Sequence, residues 1–250
     1  MIKRIKRKIY KKFFKEFHYK GNNNNYSDID AEEKEIIDSV VKFTLTNPER
    51  IVSLIRAIKH IETYDIDGDI VECGVWKGGS IMAVLKTLKN LNNLDRKIYL
   101  YDTFEGMSEP TEIDKSYRGE SASNAYAGKD ETWDRIECLS PLEEVKENVY
   151  GIGYPRENVF FIKGKVEDTI PNVKIPEKIS ILRLDTDWYE STLHEMEYLF
   201  PRLVKGGIII IDDYGHWAGC RKAVDEYLEK NKLQLFLNRI DYTCRMGVKI

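Results

Sequence analysis

The stretch GGIIIIDDYGHW, residues 206–217, decides the fold. Four consecutive isoleucines leave no polar face, so a strand built from them is covered on both sides. That strand runs directly into Asp212 and Asp213. Ionised carboxylates are costly to bury without a partner. The pair therefore sits at a strand end, either in water or around something positive.

Four more segments repeat the pattern of a short apolar run ending in acid: DIVECGV (69–75), RKIYLYDTF (96–104), ENVFFIKGKVED (157–168) and KISILRLDTDW (178–188). Helical stretches lie between them, at WKGGSIMAVLKTLKNL (76–91), YESTLHEMEYLFPRLV (189–204) and GCRKAVDEYLEK (219–230). Strands alternating with helices predict βαβ units and a mostly parallel sheet with helices on both faces. The tail, residues 233–250, reads as a terminal antiparallel hairpin. Two helices precede the first strand, over about 31–64. The second opens with Asn47 as N-cap and Pro48 in its first position. Residues 105–140 break the rhythm with Gly, Ser, Glu and Asp, as a lid or binding insertion does.

The chain has 250 residues, of which 42% are apolar, enough for one large core. Its net charge of −3 conceals an asymmetry. Of 39 basic and 42 acidic residues, nine Lys or Arg but one Glu fall in residues 1–20, which leaves the rest at −11. An acidic body disfavours nucleic acid as a partner. Ile2, Ile5, Ile9, Phe13 and Phe17 give residues 1–20 the pattern of a basic amphipathic helix. Such a helix suits an anionic membrane surface or a docking partner, or packs as a solvated helix. A polar linker, 21–30, follows. No apolar run is long enough to span a bilayer, and Cys73, Cys138, Cys220 and Cys244 form no C-x-x-C pair. The expected location is cytoplasmic, with peripheral attachment to the inner membrane face left open, as is a homo-oligomer.

In a doubly wound sheet, ligands lie beyond the carboxyl ends of the strands. The residues there are Glu72 to Ser80, Asp102 and Thr103, Gly164 to Asp168, Asp185 to Asp187, and Asp212 to Tyr214. The glycine loop, with Gly74, Gly78 and Gly79, lacks the G-x-G-x-x-G spacing of a dinucleotide site. Glu72 before it would repel a pyrophosphate but suits a ligand with an amino group. Asp102 is placed to accept from two ribose hydroxyls. Together they point to S-adenosylmethionine rather than NAD. Asp185, Asp212 and Asp213 would converge on adjacent strands and repel unless a cation joined them. All-oxygen ligation favours Mg²⁺ or Ca²⁺. The alternative is that one aspartate caps a helix and another is solvated.

FTLTNPERI (43–51), DIVECGVWKGGS, YDTFEGM, RLDTDWYEST and GGIIIIDDYGHWAGCRKAVDEY together resemble the macrocin-type sugar O-methyltransferases, over about residues 40–230. The resemblance implies a Rossmann-like class I methyltransferase fold with a seven-stranded sheet. It implies metal ligation by Asp185, Asp212 and Asp213. It also implies cofactor contacts from Thr44, Glu72, Cys73, Gly74, Val75, Trp76, Asp102, Thr103, Phe104, Lys165 and Val166, beside Gly78 and Ser80 of the loop. The implied reaction passes a methyl group from S-adenosylmethionine to a hydroxyl of a sugar or related vicinal diol, with Mg²⁺ or a similar ion gripping the diol. Asp185, Asp187 and His216 are the proton acceptors on offer, and Tyr214 and Trp217 would line the acceptor site. Trp76 and Trp188 either fill the core or flank the cofactor. A catechol acceptor is a rival, as are an NAD- or nucleotide-sugar-binding oxidoreductase and a non-catalytic scaffold on the same fold.

Overall fold

The computed structural model describes residues 27–124, 126–127 and 138–250. The basic segment 1–20, most of the linker and the middle of the 105–140 insertion lie outside them. Two helices come first, α1 (Ala31–Val40) and α2 (Pro48–Thr63). Asp30 and Glu33 close a reciprocal capping box on α1, and Asn47 Oδ1 accepts from Arg50 N at 2.9 Å to cap α2. Alternation follows: β1 (Asp69–Cys73), α3 (Gly79–Asn90), β2 (Ile98–Asp102), α4 (Leu142–Tyr150), β3 (Val159–Lys163), β4 (Ile179–Leu184), α5 (Tyr189–Tyr198), β5 (Leu203–Ile211) and α6 (Ala218–Lys230). A short β6 (Asn238–Arg239) and β7 (Arg245–Val248) complete the chain.

The seven strands are ordered β3-β2-β1-β4-β5-β7-β6. The first five run parallel, and β7 pairs antiparallel with both β5 and β6, which is the expected terminal hairpin. This is the class I methyltransferase fold. Chain order reverses between β1 and β4, so a crevice opens at their carboxyl ends.

The isoleucine run explains itself through parity. Ile208 and Ile210 face one apolar layer, with Ile51, Ile55 and Ile58 of α2 and Leu85 of α3. Ile209 and Ile211 face the other, with Met196 of α5 and Val224 of α6. All four isoleucines are buried, each stabilising the fold by about 1.5–3 kcal/mol. Period two also fixes which strand-end residues share a face. Ile70, Ile181 and Ile208 lie on the α2 side, and the paired positions Glu72 and Arg183 continue that side toward the crevice.

Part of the insertion packs firmly. Asp114 is fully buried and accepts from Tyr189 N, the first turn of α5, at 2.9 Å. Isolated bridges join Lys115 to Ser121 and Ser116 to Trp217. Among the described residues no helix is long and apolar enough to cross a membrane.

Candidate active site

A cleft with about 230 Å³ of room opens over the carboxyl ends of β1, β2, β4 and β5. Its wall is built by the turn after β1. Gly74 has φ +83°, and a Cβ there would stand 2.1 Å from the backbone oxygen of Asp185. The glycine thus lets β1 and β4 close tightly, and Asp185 N donates to Cys73 O at 2.9 Å. Replacing Gly74 by alanine is expected to push Asp185 aside and cost about 1–3 kcal/mol, as overpacking does, measurable as a lower urea midpoint.

Asp102 latches this turn to the end of β2. Its Oδ2 accepts from Val75 N at 2.6 Å and Trp76 N at 3.0 Å, and its Oδ1 from Phe104 N at 2.6 Å. Thr44, Val75, Trp76, Ser80, Thr103, Lys165 and Val166 share the cleft wall with Gly74 and Asp102. Cys73 is buried behind the wall, its carbonyl taken by Asp185 N. Gly78 caps α3 at φ +85°, and Phe104 is buried behind the wall.

On the cleft floor, one carboxylate oxygen from each of Asp185, Asp212 and Asp213 can lie within 4.8 Å of the others. Two arginines reach the same floor. Arg183, 3% exposed and one residue before the end of β4, binds Glu72 at 2.6 Å, Asp185 at 2.8 Å and Asp212 at 2.7 Å. It also donates to Thr46 Oγ1 at 3.2 Å. Arg50, from the first turn of α2, pairs with Asp212 and with Asp241, the latter at 2.7 Å. Asn47 Nδ2 donates to the same Asp241 oxygen at 2.6 Å. The TNPER segment therefore ties the N-terminal helices to the acidic floor. The assumption that only a bound cation could join these carboxylates is incomplete, because the chain brings two guanidiniums of its own.

The three aspartates are not equivalent. Burial works against the charge of Asp212, but Arg50 and Arg183 outweigh it and hold the carboxyl below its usual range. Burial raises Asp185 well above that range despite Arg183, with Asp212 and Asp213 adding repulsion. Asp213 is raised by burial and then by Asp187 and Asp212. Asp187, at φ +67°, is hydrogen-bonded to Asp213 and pushed up to about 7 by burial and Asp185. Arg50 and Arg183 thus balance Asp212, whereas on the Asp185–Asp213 side burial and crowding hold the carboxyls toward their neutral form, which an arriving cation would reverse. The oxygens of Asp185 and Asp212 keep a second lone pair beside their guanidinium contacts, and among the described residues Asp213 meets no guanidinium within 4.0 Å, so the donor set fits a hard divalent cation.

Glu72 is also buried, and desolvation pushes it up to about 7. Its Oε1 binds Arg183, while its Oε2 has no hydrogen-bond partner among the described residues. A buried acceptor left open beneath the glycine turn fits a ligand bearing an ammonium group.

His216, Tyr214 and Trp217 lie off the cleft wall. His216 Nδ1 meets Tyr242 Oη at 3.2 Å, and its ring packs edge-on against Trp217 and Tyr117. Burial and Arg50 lower its proton affinity. Trp217 is buried against Trp188, whose Nε1 donates to Ser108 O at 2.9 Å. Tyr214 opens onto a neighbouring groove. Arg183 and Arg50 are the residues that sequence reasoning missed. An arginine inside an otherwise apolar strand was the available signal for the first.

A family model described as Macrocin-O-methyltransferase (TylF) matches residues 2–247, so the basic N-terminus falls within the matched length. The 8-demethyl-8-(2,3-dimethoxy-alpha-L-rhamnosyl)-tetracenomycin-C 4'-O-methyltransferase of Streptomyces olivaceus is 32% identical over 203 residues, 81% of this chain and 74% of that protein. The mycinamicin III 3''-O-methyltransferase of Micromonospora griseorubida is 30% identical over 208 residues, covering 83% and 78%. Among solved structures, the O-methyltransferase NovP superposes with a TM-score of 0.71 at 27% identity, covering 83% of this chain and 82% of that one. The chain belongs to the macrocin O-methyltransferase family and is an O-methyltransferase.

Proposed function

We propose that the enzyme transfers a methyl group from S-adenosylmethionine to a hydroxyl of a sugar bearing a vicinal diol, with a divalent cation of the Mg²⁺ type on the cleft floor. The observation that carries this reading is the convergence of Asp185, Asp212 and Asp213 in the same cleft as Gly74 and Asp102. The name of the first relative above includes a 2,3-dimethoxy-alpha-L-rhamnosyl group and that of the second a 3''-O-methylation, which supports a sugar as the acceptor.

Asp185, Asp212 and Asp213 would hold the cation, which when bound supplies charge stabilisation to a hydroxyl losing its proton. The remaining work belongs to the chain. Glu72 and Asp102 present acceptors to the amino and ribose ends of the donor. Arg183 and Arg50 fix the Asp212 carboxylate in place before any ligand arrives. In the transfer itself the donor's sulfur–carbon bond breaks as the acceptor oxygen bonds to the methyl carbon. The hydroxyl proton goes to a carboxylate on the floor. Asp187 suits this role because it lines the cleft, hydrogen-bonded to Asp213, without being one of the three carboxylates that would hold the cation. Asp185 is engaged by Arg183, and His216 faces the aromatic cluster.

The test uses donor labelled in its methyl group against deoxysugar glycosides, sugar nucleotides and catechols, after EDTA treatment and with Mg²⁺ restored. Label is expected in a sugar, with loss in EDTA and recovery with Mg²⁺. Transfer confined to catechols would refute the acceptor class. Full turnover in EDTA would refute the cation.

A further inference from the structure

A second concavity lies beside the acidic floor. Tyr214 directly follows Asp213 in the chain, and with Tyr117, Tyr242, Arg221, Arg239 and Arg245 it lines an open groove. Three guanidiniums gather on this wall. Arg221 and Arg245 both lie over the Tyr214 ring, 5.8 and 5.4 Å from its centroid. Each of the three is held by backbone carbonyls: Arg221 Nε by Tyr214 O at 3.1 Å, Arg239 Nε by Asp241 O at 2.9 Å, and Arg245 Nη1 by Cys244 O at 2.9 Å.

Among the described residues, no carboxylate lies within 4.0 Å of these three side-chain cations. The acids close by are engaged elsewhere. Asp225 accepts from Tyr214 Oη at 2.7 Å, and the Asp241 carboxylate is taken by Arg50 and Asn47. By contrast Arg50, Arg56, Arg96 and Arg183 all have carboxylate partners. Like charges held together without counter-charge repel one another, and backbone carbonyls orient them without neutralising them. An incoming anion relieves that repulsion, and phosphate oxygens match the guanidinium fork. At the rim, Tyr117 and Tyr242 stand 54% and 46% exposed, 5.9 Å apart, with Arg118 over the Tyr117 ring. Half-exposed rings of this kind offer faces for a flat base to stack on.

We propose that this groove binds the diphosphate of a nucleoside-diphosphate sugar, which is the form in which the acceptor reaches the cleft. Tyr214 then stands between the diphosphate and the acidic floor, and the base rests against Tyr117 and Tyr242. The proposal rests on the reading of the cleft as the methyl-transfer site. It places methylation before the glycosyl transfer that consumes the activated sugar.

Calorimetry on the full chain separates the two readings. Uridine diphosphate and inorganic pyrophosphate are expected to bind, and uridine is not, with affinity falling as salt rises. The double substitution Arg221→Gln/Arg239→Gln should weaken uridine diphosphate at least tenfold and leave S-adenosylhomocysteine binding unchanged. In turnover, the same variant should raise KM for a sugar nucleotide at least tenfold, with kcat and transfer to a simple methyl glycoside retained. Equal affinity of wild type and variant for uridine diphosphate would overturn the proposal, as would no binding at low salt. Binding to vesicles carrying a lipid-linked diphosphate, without binding of uridine diphosphate, would overturn the nucleotide and keep only the diphosphate. Loss of S-adenosylhomocysteine binding in the wild type would instead overturn the methyl-transfer reading and leave the groove standing.

Discussion

Replacing Arg183 by methionine is expected to cost about 3–5 kcal/mol of stability, because it strips the partner from buried charge. Arg183 is in contact with Glu72, Asp185 and Asp212 at once. Among the described residues Glu72 has no other hydrogen-bond partner, and the Asp212 carboxylate would keep only Arg50. Methionine fills similar volume, so packing is nearly conserved and the loss reports electrostatics. Against a typical total of about 5–15 kcal/mol, the variant should unfold at a much lower urea concentration. Adding Glu72→Gln should recover part of the loss, since it removes one orphaned charge. A single variant within about 1 kcal/mol of wild type would show that the three carboxylates simply take up protons, and that Arg183 is not what holds them together.

This arginine also marks how far the sequence could be read. Strand existence, parallel order and the terminal hairpin were legible because the apolar runs are uninterrupted and the helices between them are periodic. The acidic strand ends were legible because a doubly wound sheet gathers them on one edge. The arginine pairs were not. Arg183 is visible in ISILRLDTDW as a charge at a position that must be buried, and parity places it beside Glu72 and Asp185 once the β1–β4 pairing is known. Arg50 gives no such hint. It lies 162 residues from Asp212 in the chain, and only the packing of α2 over the sheet brings them together. Tyr214, His216 and Trp217 were grouped with the site by their place in sequence. The turn after Asp213 sets their rings among Tyr242, Tyr117 and Trp188, with Trp217 hydrogen-bonded to Asp187 of the cleft.

These pairings decide which aspartate tests the metal. Asp212 is a poor choice, because Asp212→Asn would unpair Arg50 and Arg183 and confound lost chemistry with lost fold. Asp213 is in contact with neither guanidinium within 4.0 Å, and its charge is opposed by burial, Asp187 and Asp212. Asp213→Asn keeps the shape and removes that charge. In the metal-free protein it should leave stability equal or slightly higher, since an unfavourable charge is gone. Activity should nevertheless fall about 100- to 1000-fold, the scale for losing one group that stabilises charge in the transition state. Affinity for S-adenosylhomocysteine should stay near wild type, because the role proposed for Asp213 is toward the acceptor hydroxyl and not the donor. Thermal melts, calorimetry and labelled methyl transfer read these three quantities separately. Opposite signs for stability and activity would mark a residue kept for function at a structural cost. Full activity in Asp213→Asn would remove it from the cation site and leave Asp185 and Asp212, already neutralised by arginine, with too little charge to hold a divalent ion.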